Sequence, residues 1–413
     1  MALKRSAYAA FASFGGLWGA WGAALPAVRL AAGVSEGQLG TALVCIGAGA
    51  LPAMLLTGRA VDRYGGRVVA VALTLLALSG VAVATTAANF VTLAMLLLVL
   101  GAMSGATDVG INAVAGAAER TAGQPVLTRA HGTFSAAVVV SSLITGGIEA
   151  MGLPVAIAFG LVVVAALVAA VSLWQARLTA GTGEPATTAE LGPASKIGWL
   201  LPLVITGLTG ALAFAVENAC QSWGAVFLRD QLSVAGGLTA AAPALFAAVA
   251  AATRFTAGVI TGLPAGPLLT AGAVVATAGS ALLARSSTLA AALTGLALAA
   301  AGTSVLFPTL LREALSGVRP EARGRATSAV ATTAYLGFLL GPVYVGSLAS
   351  AAGLRNAMTG VAALAATTAV TAWPVARWAG KTVTRSTERV TRPWSAGPGA
   401  ARRAARTGRR RPG

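Results

Sequence analysis

Charged residues are scarce in this sequence, and acidic ones are the scarcest. Only 10% of the 413 residues are Asp, Glu, Lys or Arg, and only 12 are acidic, whereas 56% are hydrophobic. Soluble domains carry about 25% charged residues because a water-facing surface needs them. The deficit argues against a soluble enzyme, a disordered chain and a secreted disulfide scaffold. It favours a protein whose surface is covered mostly by lipid.

Cysteine and histidine are also scarce. The chain has two cysteines, Cys45 and Cys220, and a single histidine, His131. Both cysteines lie in apolar runs, so we interpret them as small buried residues rather than a disulfide. One histidine cannot form a cysteine and histidine cluster with the spacing of metal ligands. We therefore expect no metal site, no cofactor and no catalytic centre.

Long apolar runs are what the sequence has in abundance. A bilayer core about 30 Å thick needs about 20 apolar residues in a helix. The runs lack the period-two alternation of a membrane β-barrel, so they predict an all-α membrane protein. The twelve predicted spans cover residues 7–28, 38–57, 68–88, 90–114, 131–152, 154–176, 197–228, 236–259, 268–284, 288–311, 327–350 and 356–378.

The basic residues lie mostly on one side of these spans. With the N-terminus inside, the 29 Lys and Arg residues divide 25 to 4, which predicts a multi-pass protein of a bacterial-type cytoplasmic membrane with both termini in the cytoplasm. The net charge of +17 does not indicate nucleic acid, because ten basic residues lie after the last span, in 379–413. We interpret 379–413 as a disordered cytoplasmic tail. It either only marks the cytoplasmic side or contacts anionic lipid head groups.

The longest predicted cytoplasmic connection, residues 177–196, divides the spans six and six. We interpret it as a linker between an N-terminal bundle, 1–176, and a C-terminal bundle, 197–378. Two six-helix halves favour a transporter whose site lies between them, near the middle of the membrane.

The loop between spans two and three carries the most specific motif. Residues 58–67 read GRAVDRYGGR, which resembles the G-x-x-x-D-R-x-G-[RG]-[RK] loop of the major facilitator superfamily. The resemblance covers residues 7–378 and implies twelve helices in two pseudo-symmetric six-helix bundles, with transport by alternating access. It also implies that this loop closes the inner gate. The inner-gate residues are then Gly58, Asp62, Arg63, Gly65 and Arg67.

Further stretches resemble a branch of bacterial inner-membrane permeases distantly similar to fucose permease. These stretches contain Asp108 with Asn112, His131, Glu217 with Trp223, and Tyr335. This resemblance implies secondary transport of a small polar solute, often coupled to protons. Drug–proton antiporters of the superfamily carry an arginine motif in span four and a G-P-x-x-G-G run in span five. Both are missing here, which disfavours an exporter.

Acidic residues inside the spans need an explanation, because a charge near the bilayer centre costs at least about 2.5 kcal/mol. Asp108 and Asn112 are four residues apart and share one helix face in span four. We consider two roles for Asp108. It is either a proton or solute site, or it braces the gate through an ion pair with Arg59 or Arg63.

Glu217 in span seven is the strongest candidate for a proton-transferring group. No basic residue occurs in the middle of any span, so desolvation favours its neutral form, and a group of this kind can take and release a proton. The alternative is a neutral glutamic acid bonded between helices. Asn218 and Gln221 extend the polar surface of this span, and Trp223 follows one turn later.

Aromatic residues and the histidine complete the candidates. His131 opens span five, either as a proton relay or as a hydrogen-bonding residue at the helix start. Trp18 and Trp21 share one face of span one and either stack on solute or pack against helices. Tyr335 in span eleven either lines the cavity or lies beside glycines that pack helices.

Together these features predict a monomeric secondary transporter of a small-molecule solute, with the proton as coupling ion and Glu217 and Asp108 as titrating residues. One alternative with the same fold is an efflux pump for an amphipathic compound. An alternative of another class is a membrane sensor or interaction protein that uses its basic tail and does not transport.

Overall fold

The computed structural model describes residues 2–175, 197–259, 263–316, 318 and 320–391, and all regular structure in these ranges is helical. The predicted linker 177–196 and most of the predicted tail lie outside the described residues. The helices are α1 (Ala2–Ala31), α2 (Glu36–Tyr64), α3 (Gly66–Thr86), α4 (Phe90–Ala122), α5 (Val126–Ala150), α6 (Ala156–Trp174), α7 (Ile197–Leu232), α8 (Gly236–Thr239), α9 (Ala241–Val259), α10 (Ala265–Arg285), α11 (Leu289–Ser304), α12 (Leu306–Ala314), α13 (Pro320–Ala352) and α14 (Leu354–Thr391).

These helices make twelve membrane crossings, which confirms the prediction of twelve spans. Breaks at Ala240 and Val305 divide two of the crossings into α8 with α9 and α11 with α12. In the described part of the chain, eleven crossings are long and apolar enough to span a membrane. The twelfth is α1, which has 30 residues but is less apolar, because glycine, serine and tryptophan interrupt its alanines.

Several helices run beyond the predicted spans, because apolar length fixes the membrane segment and not the helix. Polar residues cap the extensions: Ser35 accepts a hydrogen bond from the Gln38 N–H at the start of α2. The tail prediction was wrong at its beginning, since α14 continues to Thr391 and makes residues 379–391 helical rather than disordered. Nothing in the composition of this polar segment distinguished an extended helix from a tail.

The two halves repeat one pattern of helix contacts. In the first half α1 packs on α5, α2 on α4 and α3 on α6. In the second half the corresponding pairs are α7 with α13, α9 with α11 and α10 with α14. Glycines allow the close approaches: a Cβ atom on Gly105 of α4 would lie 2.9 Å from the Ala50 Cα of α2.

The halves meet at one end of the molecule. We call the end with residues 58–67 the motif end and the other the far end. The halves join where α2 contacts α13, α5 contacts α8 and α9, and α1 contacts α7. A Cβ atom on Gly40 of α2 would lie 2.6 Å from the Pro342 carbonyl oxygen and 2.8 Å from the Gly346 Cα of α13. These residues belong to the far-end half of both helices.

Two ion pairs also join the halves at the far end. Arg29 at the end of α1 pairs with Asp230 of α7. The neighbouring Arg229 donates from Nη1 to the Glu149 Oε1 of α5 at 3.2 Å. Adjacent residues of one helix therefore contact two helices of the opposite half.

Candidate functional site

Three polar side chains meet close to the middle of α7. The Arg254 Nη2 of α9 donates to the Glu217 Oε1 at 2.7 Å. Gln221, one turn further along α7, donates from Nε2 to the same oxygen at 3.4 Å. The Glu217 side chain is 6% exposed and the Arg254 side chain 47% exposed. We call Glu217 and Arg254 the central ion pair.

This ion pair corrects a prediction: the expectation that no basic side chain reaches Glu217 is wrong. Arg254 belongs to the predicted span 236–259 but lies near its end rather than in its middle. In the structure it lies within α9, and its long side chain reaches Glu217 of α7. A guanidinium is always protonated, so Glu217 has a cation at hydrogen-bond distance.

The depth of Glu217 follows from the length of α7. The helix has 36 residues, so it is about 54 Å long and extends well beyond the bilayer core. Glu217 lies near its centre, between an apolar start at Ile197 and the charged far end at Arg229 and Asp230. The carboxyl group therefore lies near mid-length of a helix that crosses the membrane.

Asp108 lies on α4 of the other half and is half-buried. Its Oδ1 accepts a hydrogen bond from the Asn112 Nδ2 at 3.0 Å, so the two side chains share a face as predicted. Among the described residues, the alternative ion pair of Asp108 with Arg59 or Arg63 is not formed. Asn112 also donates from Nδ2 to the main-chain carbonyl oxygen of Asp108, and this bond holds the Asn112 side-chain amide against its own helix.

Four aromatic rings cover the surface beside the central ion pair. We call Phe214, Phe307, Tyr335 and Phe338 the aromatic wall. The ring centroid of Phe214 lies 4.5 Å from those of Phe307 and Phe338 and 5.7 Å from that of Tyr335. Tyr335 is 48% exposed, and the charges of Asp108 and Glu217 both act on it. The wall therefore lies near acids from both halves.

Sequence reasoning found Tyr335 but missed Phe214 and Phe307. Phenylalanine in an apolar span is the ordinary side chain of a packed helix, so composition gave no reason to select these two. One signal was available: Phe214 lies three residues before Glu217 and shares its helix face.

The first half contributes its own aromatic residues and the histidine. Trp18 is half-buried and contacts Phe14 edge to face at 6.4 Å, whereas Trp21 is 4% exposed and packs in the core. His131 is exposed near the start of α5, with its ring centroid 5.0 Å from that of Phe11. The charge of Arg254 acts on His131, which connects the histidine to the central ion pair across the two halves.

The remaining candidates of α7 do not join this group. Asn218 is half-buried, and its Oδ1 accepts a hydrogen bond from the Ser222 Oγ at 3.2 Å. Trp223 is fully buried, and its Nε1 has no partner among the described residues. The polar residues of α7 therefore form two separate pairs, Glu217 with Gln221 and Asn218 with Ser222, while Trp223 faces the core.

The gate loop has the geometry that its glycines predict. Gly65 ends α2 with φ 64°, a conformation that favours glycine, and α3 begins at Gly66. The Arg63 Cζ lies 5.3 Å from the Tyr64 ring centroid, and the Arg67 Cζ lies 5.4 Å from that of Trp174. Asp62 is exposed and makes no hydrogen bond or ion pair within the described ranges. A Cβ atom on Gly58 would meet nothing within 4 Å.

Comparison with known proteins agrees with this architecture. The model of the Major Facilitator Superfamily matches residues 7–342. An uncharacterized MFS-type transporter of Yersinia pestis is 29% identical over 363 residues, which cover 86% of this chain and 90% of that protein. An uncharacterized transporter of Sinorhizobium fredii is 28% identical over 365 residues, covering 84% of this chain and 91% of that protein.

Similar solved structures belong to transporters of different solutes. The nucleoside transporter NupG has a TM-score of 0.72 at 14% identity, covering 91% of this chain and 99% of that one. The xylose transporter XylE from E. coli, in an inward open conformation, has a TM-score of 0.68 at 14% identity, covering 88% and 94%. At these identities the likeness shows the fold alone. The match over residues 7–342, on a bundle of twelve crossings, shows that this multi-pass membrane protein belongs to the major facilitator superfamily of transporters.

Proposed function

We propose that the protein is a proton-coupled secondary transporter of a small solute. The bundles 1–176 and 197–378 would alternate in exposing a site between them. The observation that carries this proposal is the central ion pair: a buried carboxylate at mid-length of a membrane-crossing helix pairs with one exposed arginine. An ionisable pair within a membrane span is costly to keep and is typical of ion or solute pathways.

Protonation of Glu217 would change what Arg254 can bind. The charged carboxylate accepts the guanidinium at 2.7 Å. A protonated Glu217 carries no negative charge, so Arg254 becomes an unpaired cation at the site. Proton binding and solute binding are then linked through one side chain, which is the physical requirement for coupled transport.

The arrangement of the halves supports an inward-facing state, with the motif end in the cytoplasm. Arg59, Arg63 and Arg67 lie at the motif end, which fits the preference of basic residues for the cytoplasmic side. The contacts between the halves lie toward the far end, and Asp62 is unpaired as expected of an open inner gate. One similar structure is described as inward open and another, a bacterial homologue of the lysosomal transporter Spinster, as inward-facing.

The test is transport by the purified protein in proteoliposomes. Nucleosides, pentoses and aromatic acids are first screened by thermal shift, and the stabilising compound is then used as the radiolabelled solute. We expect Glu217→Gln to lose accumulation driven by a pH gradient and to keep downhill exchange. Glu313→Gln, which changes an acid at the end of α12 away from the site, serves as the matched control. Accumulation by Glu217→Gln equal to that of the unmodified protein would refute the proton role.

An exporter of amphipathic compounds is the second candidate, and the exposed face of Tyr335 on the aromatic wall favours it. The same fold and site serve both directions, so the direction of flux decides between them. Uptake into right-side-out vesicles under an inward proton gradient supports an importer. Uptake into inverted vesicles under the opposite gradient supports an exporter.

A further inference from the structure

We infer that the solute is an organic anion with an aromatic or similar planar ring: its anionic group binds Arg254, and its ring stacks on the aromatic wall. The inference rests on the proposed transport function and specifies the solute class of that same site. Three observations support it: the unused donors of Arg254, the recessed position of the acids, and the place of Phe214, a residue of the aromatic wall, on the same α7 face as Glu217.

Arg254 has binding capacity that the protein leaves unused. Of its five N–H donors, the structure gives a partner only to one on Nη2, which contacts Glu217. Within the described residues the Nε and Nη1 donors have no partner, and the side chain is exposed. A guanidinium presents its donors as a flat fork that binds a carboxylate or phosphate through two parallel hydrogen bonds.

The acids are less accessible than the arginine, so an incoming solute meets the cation first. Glu217 is almost fully buried, and its Oε1 already accepts from Arg254 and Gln221. Asp108, from α4, is half-buried and accepts from Asn112. The other titratable groups that act electrostatically here are His131 of α5, Tyr335 of α13 and Cys220, one turn after Glu217 on α7. None of them adds a permanent positive charge.

The aromatic wall adjoins the helix face that carries Glu217. Phe214 precedes Glu217 by three residues on one face of α7, where side chains are about 5–6 Å apart between Cβ atoms. Tyr335 borders Phe214 and exposes almost half of its surface. We therefore expect a carboxylate attached to a six-membered ring by a short linker, with its anionic end at Arg254 and its ring against Tyr335.

The charges balance when one proton accompanies one anion. Before binding, Glu217 and Arg254 neutralise each other. When the anion takes Arg254, the buried Glu217 carboxylate loses its counterion, and a proton from solution bonds to the carboxylate oxygen. The occupied site then holds a neutral carboxylic acid and a neutral arginine–anion pair. Anion and proton therefore bind together with no net charge entering the site.

The test compares three probes that share a phenyl ring and similar size and carry a negative, a neutral and a positive polar group. Phenylacetate, phenylacetamide and phenethylamine are titrated into the purified full-length protein by calorimetry. We expect phenylacetate to bind and the neutral amide and the amine to bind at least tenfold more weakly, which corresponds to losing a charged hydrogen bond. Repeating the titration in buffers of different ionisation enthalpy should show uptake of one proton per phenylacetate. Preference for the amine or the amide overturns the inference.

Three variants separate binding from folding. Arg254→Gln should abolish phenylacetate binding, whereas Arg285→Gln, an exposed arginine at the far end of α10, should leave it unchanged. Glu217→Gln removes the competitor for Arg254, so it should bind phenylacetate about tenfold more tightly and without proton uptake. A merely structural role for Glu217 would weaken binding instead. Phenylacetate binding by Arg254→Gln equal to that of the unmodified protein refutes the site.

Failure of this inference is distinguishable from failure of the proposed function. Phenylacetate binding that depends on Arg254 but gives no accumulation under a pH gradient refutes proton-coupled transport and supports the anion site. Gradient-driven transport of a neutral or cationic solute, lost in Glu217→Gln, supports the proposed function and refutes the anion site.

Discussion

Gly146 on α5 is the position where one methyl group would most directly separate the two halves. A Cβ atom at Gly146 would lie 2.6 Å from the Ala240 Cβ and closer still to the Gly237 carbonyl oxygen, both of the opposite half. A methyl group cannot rotate away, and a main-chain oxygen moves only with its helix. Gly146→Ala should therefore destabilise the state in which the halves meet at the far end.

The size of the effect follows from the cost of overpacking. An extra carbon forced into a close-packed contact costs about 1–3 kcal/mol. The Gly146→Ala change should therefore shift the ratio of the two access states by about 5- to 150-fold toward opening at the far end. The neighbouring Gly147 is the matched control, because its Cβ would meet nothing within 4 Å. Both changes raise helix propensity by about 1 kcal/mol, so their difference reports the contact alone.

The assay is a distance measurement between spin labels at the far end. Labels are attached to Leu153→Cys, after α5, and Ser287→Cys, after α10, with Cys45 and Cys220 replaced by alanine. Double electron–electron resonance should show a larger population at long distance for Gly146→Ala than for Gly147→Ala, which should match the parent. Identical distance distributions for the two variants would show that the Gly146 contact does not hold the halves together.

Two further predictions concern the gate and the tail. Asp62→Asn should slow transport while leaving expression and membrane insertion intact, because the lost carboxylate can no longer brace the motif end when it closes; unchanged flux would refute that role. Deleting residues 392–413, which begins after the last residue of α14, should leave transport unchanged if these basic residues only mark topology and touch lipid. Loss of activity in a correctly inserted truncation would assign the tail a mechanistic role.

The fold was predictable because its determinants are local in sequence. Apolar length set the twelve crossings, and the GRAVDRYGGR loop carries the glycine that ends α2 at Gly65 with positive φ. The split of two crossings at Ala240 and Val305 left no such signal, since both residues are apolar and continue the runs around them. The same holds for α14, whose extension to Thr391 lies in a polar segment.

The site was only partly predictable because it depends on which helix faces meet. Asp108, Asn112, Glu217 and Gln221 stood out, since polar side chains in apolar spans are conspicuous. Arg254 did not stand out, because an arginine near a helix end is ordinarily exposed to solvent. Only the packing of α9 on α7 shows that its side chain contacts Glu217. Trp223 was selected because its stretch, with Glu217, resembles the permease branch, yet its position on α7 places it in the core.

The position of the central ion pair within one half has a consequence for coupling. A proton moves with the transport cycle only if the two access states differ in their interaction with it. Arg254, Gln221 and Tyr335 belong to the same half as Glu217, so under the proposed alternating access they would move with it. Asp108 and His131 belong to the other half, and their distance to the central ion pair would change with the rotation. These two groups would therefore contribute to a difference in proton affinity between the states.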